Sequence, residues 1–233
     1  MRTLGLLGGM SWESTIPYYR IINETVKREL GDLHSAPLLL HSFDFTRIER
    51  LQADENWIEL AMILTEAARN LVSCGAQGLV ICSNTMHRVA QEIQSQLDIP
   101  LLHIVEATAQ EISGANIDSI GLLGTRFTME QEFYRGRLKS RYGLKVVIPD
   151  DIDRTLVHRV IYDELCQGVI RDASRIEFLR IIEGMSKNGA QGVILGCTEI
   201  SLLVPPSVCP IHAFDTTAIH AEFAAQWALG NSA

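Results

Sequence analysis

The sequence predicts an α/β protein of two similar lobes, each a parallel sheet flanked by helices. The lobes are expected to be related by pseudo-two-fold symmetry, with the active site in the interlobe cleft. Three observations carry this. Gly75-Ala76-Gln77-Gly78-Leu79-Val80-Ile81-Cys82-Ser83-Asn84-Thr85 recurs without a gap as Gly189-Ala190-Gln191-Gly192-Val193-Ile194-Leu195-Gly196-Cys197-Thr198-Glu199, an offset of 114 residues from 83 to 197. Leu4-Gly5-Leu6-Leu7-Gly8-Gly9 returns as Ile120-Gly121-Leu122-Leu123-Gly124-Thr125, an offset of 116 residues from 5 to 121. Two matched segments in the same order at so long a spacing mean duplicated lobes, not a solenoid of short repeats. Between them, short apolar runs alternate with longer amphipathic segments, the pattern of βα units that build parallel sheets.

The strands are expected at Thr3–Gly8, Pro37–Phe43, Gly78–Cys82 and Pro100–Ile104, then at Ser119–Gly124, Lys145–Ile148, Gly192–Gly196 and Pro210–Phe214. Ser14, Thr15 and Pro17 mark a helix start, since proline is tolerated in a first turn, and Ile16–Leu30 is closed by Gly31. The helical runs Glu55–Val72 and Ser174–Lys187 stop at Cys74-Gly75 and Asn188-Gly189, so each repeat begins with a helix stop that feeds a strand. A turn near Ser113–Asp118 divides a first lobe, 1–113, from a second, 114–214. The final helix, Thr217–Leu229 within 215–233, is expected to cross back and complete the first lobe.

The register of the repeat selects the chemistry. Ser83 is the counterpart of Cys197, and the more conspicuous Cys82 is one step out. A one-residue slip at a strand end turns a side chain to the other face. Both Ser83 and Cys197 fall at C-terminal strand ends, where open parallel sheets bind ligands. Two proton-carrying side chains on symmetry-related lobes suit removal of a proton from one face of a carbon and its return on the other.

Composition removes other classes. The chain has 233 residues, 47% hydrophobic and 21% charged, with a formal charge of −8 and no Lys/Arg run. Nucleic acid and anionic membranes are therefore not expected partners. Nothing approaches the roughly 20 apolar residues that span a bilayer, and Gly8, Gly9, Trp12 and Glu13 interrupt the start of the chain where a signal peptide needs a longer apolar region. The five cysteines are odd in number and include no C-x-x-C pair, which disfavours a disulfide framework or structural zinc. No H-E-x-x-H or ligand cluster is present, so no metal is expected. A reduced, cytoplasmic setting fits.

The opening Gly5-Leu6-Leu7-Gly8-Gly9-Met10, the Asn84-Thr85-Met86-His87 after the first repeat, the pair Thr125 and Thr128, and Gly196-Cys197-Thr198-Glu199 together resemble the aspartate/glutamate racemase family, within the Asp/Glu/hydantoin racemase superfamily. The resemblance spans essentially the whole chain. Gly8–Thr15, reading Gly-Gly-Met-Ser-Trp-Glu-Ser-Thr, is similar to the broad-specificity amino-acid racemase branch. It implies a cofactor-independent isomerase, without pyridoxal phosphate, that racemises aspartate, glutamate or a related polar amino acid, and it implies a homodimer. It makes Cys197 a catalytic acid/base and puts Ser83 opposite. The substrate carboxylate and its enolate-like transition state would be held by Asn84, Thr85, Thr125, Thr128 and Thr198. Met10 and Ser11 would approach the substrate through backbone, and Glu199 would orient its ammonium. Arg47, Arg126 and Arg154 are candidates for a distal carboxylate.

The family places a cysteine before Asn-Thr, and here that residue is Ser83. A thiol with a pKa near ~8.5 can be tuned toward thiolate, whereas a serine hydroxyl needs an adjacent base. His87 is the candidate base if the segment after Ser83 turns helical. Two alternatives stand beside the racemase: a single-thiol decarboxylase or isomerase of the same superfamily, and a small-ligand-binding protein that has lost turnover. Cys74, Cys82, Cys166 and Cys209 read as packing or incidental residues, and His103 and His212 as structural. Gly5-x-x-Gly8-Gly9 lacks the spacing of a nucleotide loop and reads as a tight turn against a small ligand. Trp12 reads as a cleft wall or packing residue. Asp150-Asp151-Ile152-Asp153 reads as a solvated helix N-terminus.

Overall fold

The computed structural model describes residues 1–231. The chain divides into two compact units, Met1–Ile104 with the segment from Thr217 onward, and Val105–Thr216. The division falls at the start of a helix, ahead of the turn at Ser113–Asp118.

In the first unit, strands β1 (Leu4–Gly8), β2 (Leu38–Ser42), β3 (Gly78–Ile81) and β4 (Leu101–Leu102) form an all-parallel sheet of order β2-β1-β3-β4. Its helices are α1 (Trp12–Leu30), α2 (Phe45–Ala53), α3 (Trp57–Ser73) and the short α4 (Ala90–Gln94). In the second, α5 (Ile104–Gly114) leads into β5 (Ser119–Gly124), β6 (Lys145–Val147), β7 (Gly192–Gly196) and β8 (His212–Asp215), parallel in the order β6-β5-β7-β8. Between them run α6 (Arg126–Glu130), α7 (Glu132–Tyr142), α8 (Asp151–Asp163), α9 (Asp172–Lys187) and α10 (Ile200–Leu203), and α11 (Thr216–Leu229) closes the chain.

The two sheets share one strand order, and the sequence repeat is visible in their pairing. Leu4 pairs with Gly78 as Ile120 pairs with Gly192. The repeated residues also do the same work twice. Gly75 and Gly189 end α3 and α9 at φ +101° and +92°, a region that residues with a Cβ resist. The amides of Ala76 and Ala190 then bond back to Leu71 and Met185 carbonyls at 3.0 and 3.1 Å. The side chain of Gln77 accepts the Thr3 amide at 3.0 Å, and that of Gln191 accepts those of Asp118 and Ser119 at 3.0 and 3.1 Å. Each glutamine locks a central strand pair at its start.

Alternate residues of the buried strands face opposite layers. In the first unit, Leu7, Leu79 and Ile81 pack on Ile48 of α2 and on Leu60, Leu64 and Leu71 of α3. Leu4, Leu6, Val80 and Cys82 pack on Tyr18, Ile22 and Val26 of α1 and on Ala221, Ala224, Ala225 and Ala228 of α11. The alanine face of α11 lets it lie close to the first sheet. In the second unit, Leu123, Val193 and Leu195 pack on Val157 and Ile161 of α8 and on Phe178, Ile182 and Met185 of α9.

Some boundaries differ from expectation. Helix α1 begins at Trp12, so Pro17 lies in its second turn and leaves the Glu13 carbonyl without an i+4 amide. The Ser14 and Thr15 hydroxyls instead tie this turn to the Ser11 carbonyl at 3.0 and 2.9 Å. β4 is only two residues long because Ile104 already opens α5. β8 starts at His212, past Pro210, whose ring has no amide for the ladder. Asp150 caps α8 by accepting the Asp153 amide at 2.9 Å, as the acidic run suggested. Among the described residues, no helix is long and apolar enough to cross a membrane.

The start of β3 yields a test. A Cβ on Gly78 would lie 2.6 Å from Cζ3 of Trp227 in α11, whereas one on Gly184, inside α9, would meet nothing within 4 Å. Gly78→Ala should lower stability by about 1–3 kcal/mol through overpacking. Gly184→Ala should raise it by up to about 1 kcal/mol through helix propensity. Urea unfolding midpoints measure both, and equal midpoints for Gly78→Ala and the parent would show that α11 does not press on this strand.

Candidate active site

At the C-terminal edge of the first sheet, β3 ends at Ile81 and the chain bends through Cys82, Ser83 and Asn84 into a 3-10 turn, Thr85–Val89. Cys82 is fully buried among Leu4, Tyr18 and Ala221, and burial pushes its thiol far up. Ser83, Asn84 and Thr85 are buried polar residues at the edge itself. The Met86 amide approaches Ser83 Oγ at 3.4 Å. Met10 and Ser11, also buried, form the neighbouring loop after β1, and the Cys82 amide is held by the Leu7 carbonyl at 2.9 Å.

The His87 ring does fold back on Ser83, but onto its carbonyl, at 2.7 Å from Nδ1, and Nε2 lies 3.2 Å from the Ile104 amide. A carbonyl can only accept and an amide can only donate. The ring is therefore neutral with its proton on Nδ1 and its Nε2 lone pair occupied. This corrects the reading of His87 as base for the serine: neither nitrogen is placed to take the hydroxyl proton. The glycines of the opening motif also serve the chain itself. A Cβ on Gly9, at φ +80°, would lie 2.4 Å from the Phe43 carbonyl oxygen, and the Gly9 amide donates to Thr15 Oγ1 at 2.8 Å. The turn at Gly9 thus packs against the Phe43 backbone, which leaves no room for a Cβ. Trp12 is 62% exposed and is not a packing residue.

At the equivalent edge of the second sheet, β7 ends at Gly196, followed by Cys197, Thr198, Glu199 and α10. Cys197 Sγ and Thr198 Oγ1 both donate to Glu199 Oε2 at 2.9 Å, and Cys166 Sγ lies 3.8 Å from Oε1. Glu199 is 1% exposed. Burial raises the Cys197 thiol well above its ordinary value, and the Glu199 carboxylate and then Cys166 raise it further. Gly124 pairs with Gly196 across β5 and β7, which makes Thr125 and Cys197 neighbours at this edge. Thr125 caps α6: its Oγ1 accepts the Thr128 amide at 3.3 Å and lies 3.2 Å from Thr128 Oγ1.

Each lobe therefore gathers its own expected residues at one strand edge: Met10, Ser11, Ser83, Asn84 and Thr85 in the first, and Thr125, Thr128, Cys197, Thr198 and Glu199 in the second. The arginines do not join them as unengaged cations. Arg126 bonds Glu130 and Asp151 at 3.0 and 2.7 Å, Arg154 bonds Glu130 and the Pro149 carbonyl at 2.8 and 2.7 Å, and Arg47 pairs with Glu59 at 3.7 Å on α3. These are surface or half-buried ion pairs within their own lobes. Cys166 is the residue that sequence reasoning missed. It enters from the 3-10 turn Leu165–Gln167, and no local motif marks it. Among the described residues, no group of three or more His, Cys, Asp or Glu is arranged to hold a metal ion.

Two parallel lobes of one strand order, with polar residues collected at their carboxyl ends, define a racemase-type α/β fold. Residues 7–224 match the family described as Asp/Glu/Hydantoin racemase, and the chain belongs to that family, whose amino-acid racemases are isomerases. A candidate Asp/Glu racemase from Yersinia pestis is 55% identical, with a TM-score of 0.91 over 98% of this chain and 100% of that one. An aspartate racemase homologue from Pyrococcus horikoshii is 31% identical, with a TM-score of 0.83 over 98% and 100%. The broad-specificity amino-acid racemase RacX of Bacillus subtilis is 28% identical over 94% of this chain and 95% of its own.

Because alkylation requires thiolate, the site makes a signed prediction. Removing the carboxylate charge with Glu199→Gln should shift alkylation of Cys197 by iodoacetamide to lower pH and speed it at pH 8. Mass spectrometry of the Cys197 peptide distinguishes it from the exposed Cys74. A slower reaction in the variant would mean that uptake of the thiol proton by Glu199 outweighs the repulsion between its carboxylate and the thiolate.

Proposed function

We propose that this protein racemises aspartate, glutamate or a related polar amino acid without a cofactor, with Cys197 and Ser83 as the two proton-carrying groups. One observation carries the reading: the two residues occupy the same register position after equivalent strands of two sheets with the same strand order. Family membership supplies the reaction class, and the relatives supply the substrate class.

The thiol–carboxylate contact suggests how a thiol with a raised pKa can act as a base. When Glu199 takes the Cys197 proton, the buried pair keeps a single negative charge, now on sulfur. This avoids the like-charge pair that a free thiolate beside a carboxylate would create. The thiolate removes the Cα proton, and the enolate-like charge is braced by hydroxyl and amide donors from Asn84, Thr85, Thr125, Thr128 and Thr198. Ser83 delivers its hydroxyl proton to the opposite face, and water restores it. The proton on Glu199 then returns to solvent. Met10 and Ser11 contribute through backbone in this reading, and Glu199 serves the thiol before the substrate ammonium.

A second reading is favoured by the placement of His87 on the Ser83 carbonyl. With the His87 imidazole held on the carbonyl instead of the hydroxyl, the chain would perform one-sided chemistry at Cys197, as a single-thiol member of the same superfamily. Incubation of the reduced protein with single enantiomers of aspartate and glutamate in D2O, without pyridoxal phosphate, separates the two. Cα deuteration with inversion is the result expected of a racemase, and deuteration with retained configuration that of the one-sided enzyme. Neither event with any amino acid in a broad panel would sink both. Cys197→Ser should reduce exchange by at least about 100-fold, the usual worth of a positioned acid/base. The resemblance also carries a homodimer, for which light scattering should give twice the 25.9 kDa chain mass. Five free thiols among the described residues fit a cytoplasmic setting.

A further inference from the structure

The first lobe contains a buried polar cluster that the reaction above does not use. It lies directly behind Ser83. Four side chains build it, all of them at most 7% exposed: Tyr18 from α1, His87 from the 3-10 turn, His103 before α5, and His220 from α11. The His87 ring centroid lies 4.6 Å from that of His103 and 5.6 Å from that of His220. His220 is itself anchored at both nitrogens, with Nε2 at 2.8 Å from the Leu102 carbonyl and Nδ1 at 2.9 Å from the Tyr18 hydroxyl. Since a carbonyl only accepts, the His220 proton is on Nε2, and Nδ1 accepts from Tyr18. Burial lowers its pKa to about 4 against the opposing pull of the Leu102 carbonyl, so the ring beside His87 is neutral near pH 7.

Polar groups so deeply buried are costly unless satisfied, and a satisfied network specifies one geometry. Here the geometry fixed is that of the Ser83 peptide. The bond from His87 Nδ1–H to the Ser83 carbonyl is short, 2.7 Å, and the ring cannot swing away without losing the Ile104 amide at Nε2 and its contacts with two other rings. The hydroxyl itself is held only loosely, by the Met86 amide at 3.4 Å. The second lobe has no imidazole at the equivalent step. Glu199 lies two residues past Cys197, and its carboxylate contacts the thiol itself.

We propose that His87 is a positioning residue that orients the Ser83 hydroxyl by clamping its peptide, with His220 of the last helix and His103 as the walls that hold the ring. The proposal rests on the racemase reading for its catalytic consequence. It does not need that reading for its structural one. The ring adds no chemical step of its own: it neither takes nor gives a proton, and its whole effect is on where one hydroxyl stands.

Two substitutions separate the bond to Ser83 from bulk and burial. Asparagine at position 87 places an amide N–H close to where Nδ1–H stands, whereas glutamine reaches the Nε2 position and loses the donor to Ser83. His87→Gln is expected to raise hydrogen exchange in the peptide covering residues 83–86 and to lower inversion at least about tenfold. KM should change by less than about threefold, and Cα exchange at the Cys197 side should persist. His87→Asn should restore both the protection and most of the inversion. Urea unfolding midpoints identify any variant that fails through global instability, and the Asn variant then carries the comparison. Unchanged protection of residues 83–86 in His87→Gln, or equal loss of inversion and of Cys197-side exchange in both variants, would overturn the proposal. If the parent protein exchanges no amino acid at all, the racemase reading fails, while the protection data still decide whether His87 clamps the turn.

Discussion

Both lobes depend on one joint: a glycine in the left-handed region, three residues ahead of a buried parallel strand, that stops a helix and sets the strand's register. Gly75 and Gly189 take this conformation, and the following glutamines lock the central strands at their first residues. Everything at the carboxyl edges inherits that register. Moving either strand by one residue would carry Ser83 or Cys197 into a packed layer and bring Cys82 or Gly196 to the edge. The fully buried Cys82 shows the consequence, since its thiol lies in the apolar layer between the sheet, α1 and α11.

On this common frame the two edges have diverged electrostatically. The second carries a thiol, a threonine hydroxyl and a second cysteine around one buried carboxylate, so a proton can move within the group without changing its charge. The first has a hydroxyl at the edge and, beneath it, the imidazoles of His87 and His220, whose nitrogens are engaged by backbone and by tyrosine. In the proposed mechanism, the carboxylate beside the thiol and the imidazole beneath the Ser83 peptide both serve to hold a proton-carrying atom still, and the carboxylate at the second edge also offers a place for its proton.

Much of this was legible in the chain because repeats and apolar triplets report backbone register directly. Ser119–Gly124 and Gly192–Gly196 coincide with β5 and β7, and Leu38–Ser42 lies inside its expected run. What was hidden depends on side chains meeting across elements. Cys166 reaches Glu199 from a 3-10 turn thirty-three positions away, and His220 reaches His87 from a helix at the other end of the chain. No spacing rule encodes such contacts. His87 was placed on the right turn, because three or four residues of helix return a side chain to its starting face, but that spacing does not distinguish a serine's hydroxyl from its carbonyl. The ion pairs of Arg126 and Arg154 were hidden for a related reason: Glu130 and Asp151, which bind them, look like any other surface carboxylates in the sequence.

The central claim is that register makes position 83 the partner of Cys197, with a hydroxyl limiting one half of the reaction. The most direct measurement is the rate of enantiomer inversion by Ser83→Cys, made also in a Cys82→Ala background so that any new reactivity belongs to position 83. The account predicts a rise of at least about tenfold in both backgrounds, because a thiol there can both give and take a proton near neutral pH. An inversion rate unchanged from the parent would contradict it and remove position 83 from the proton path.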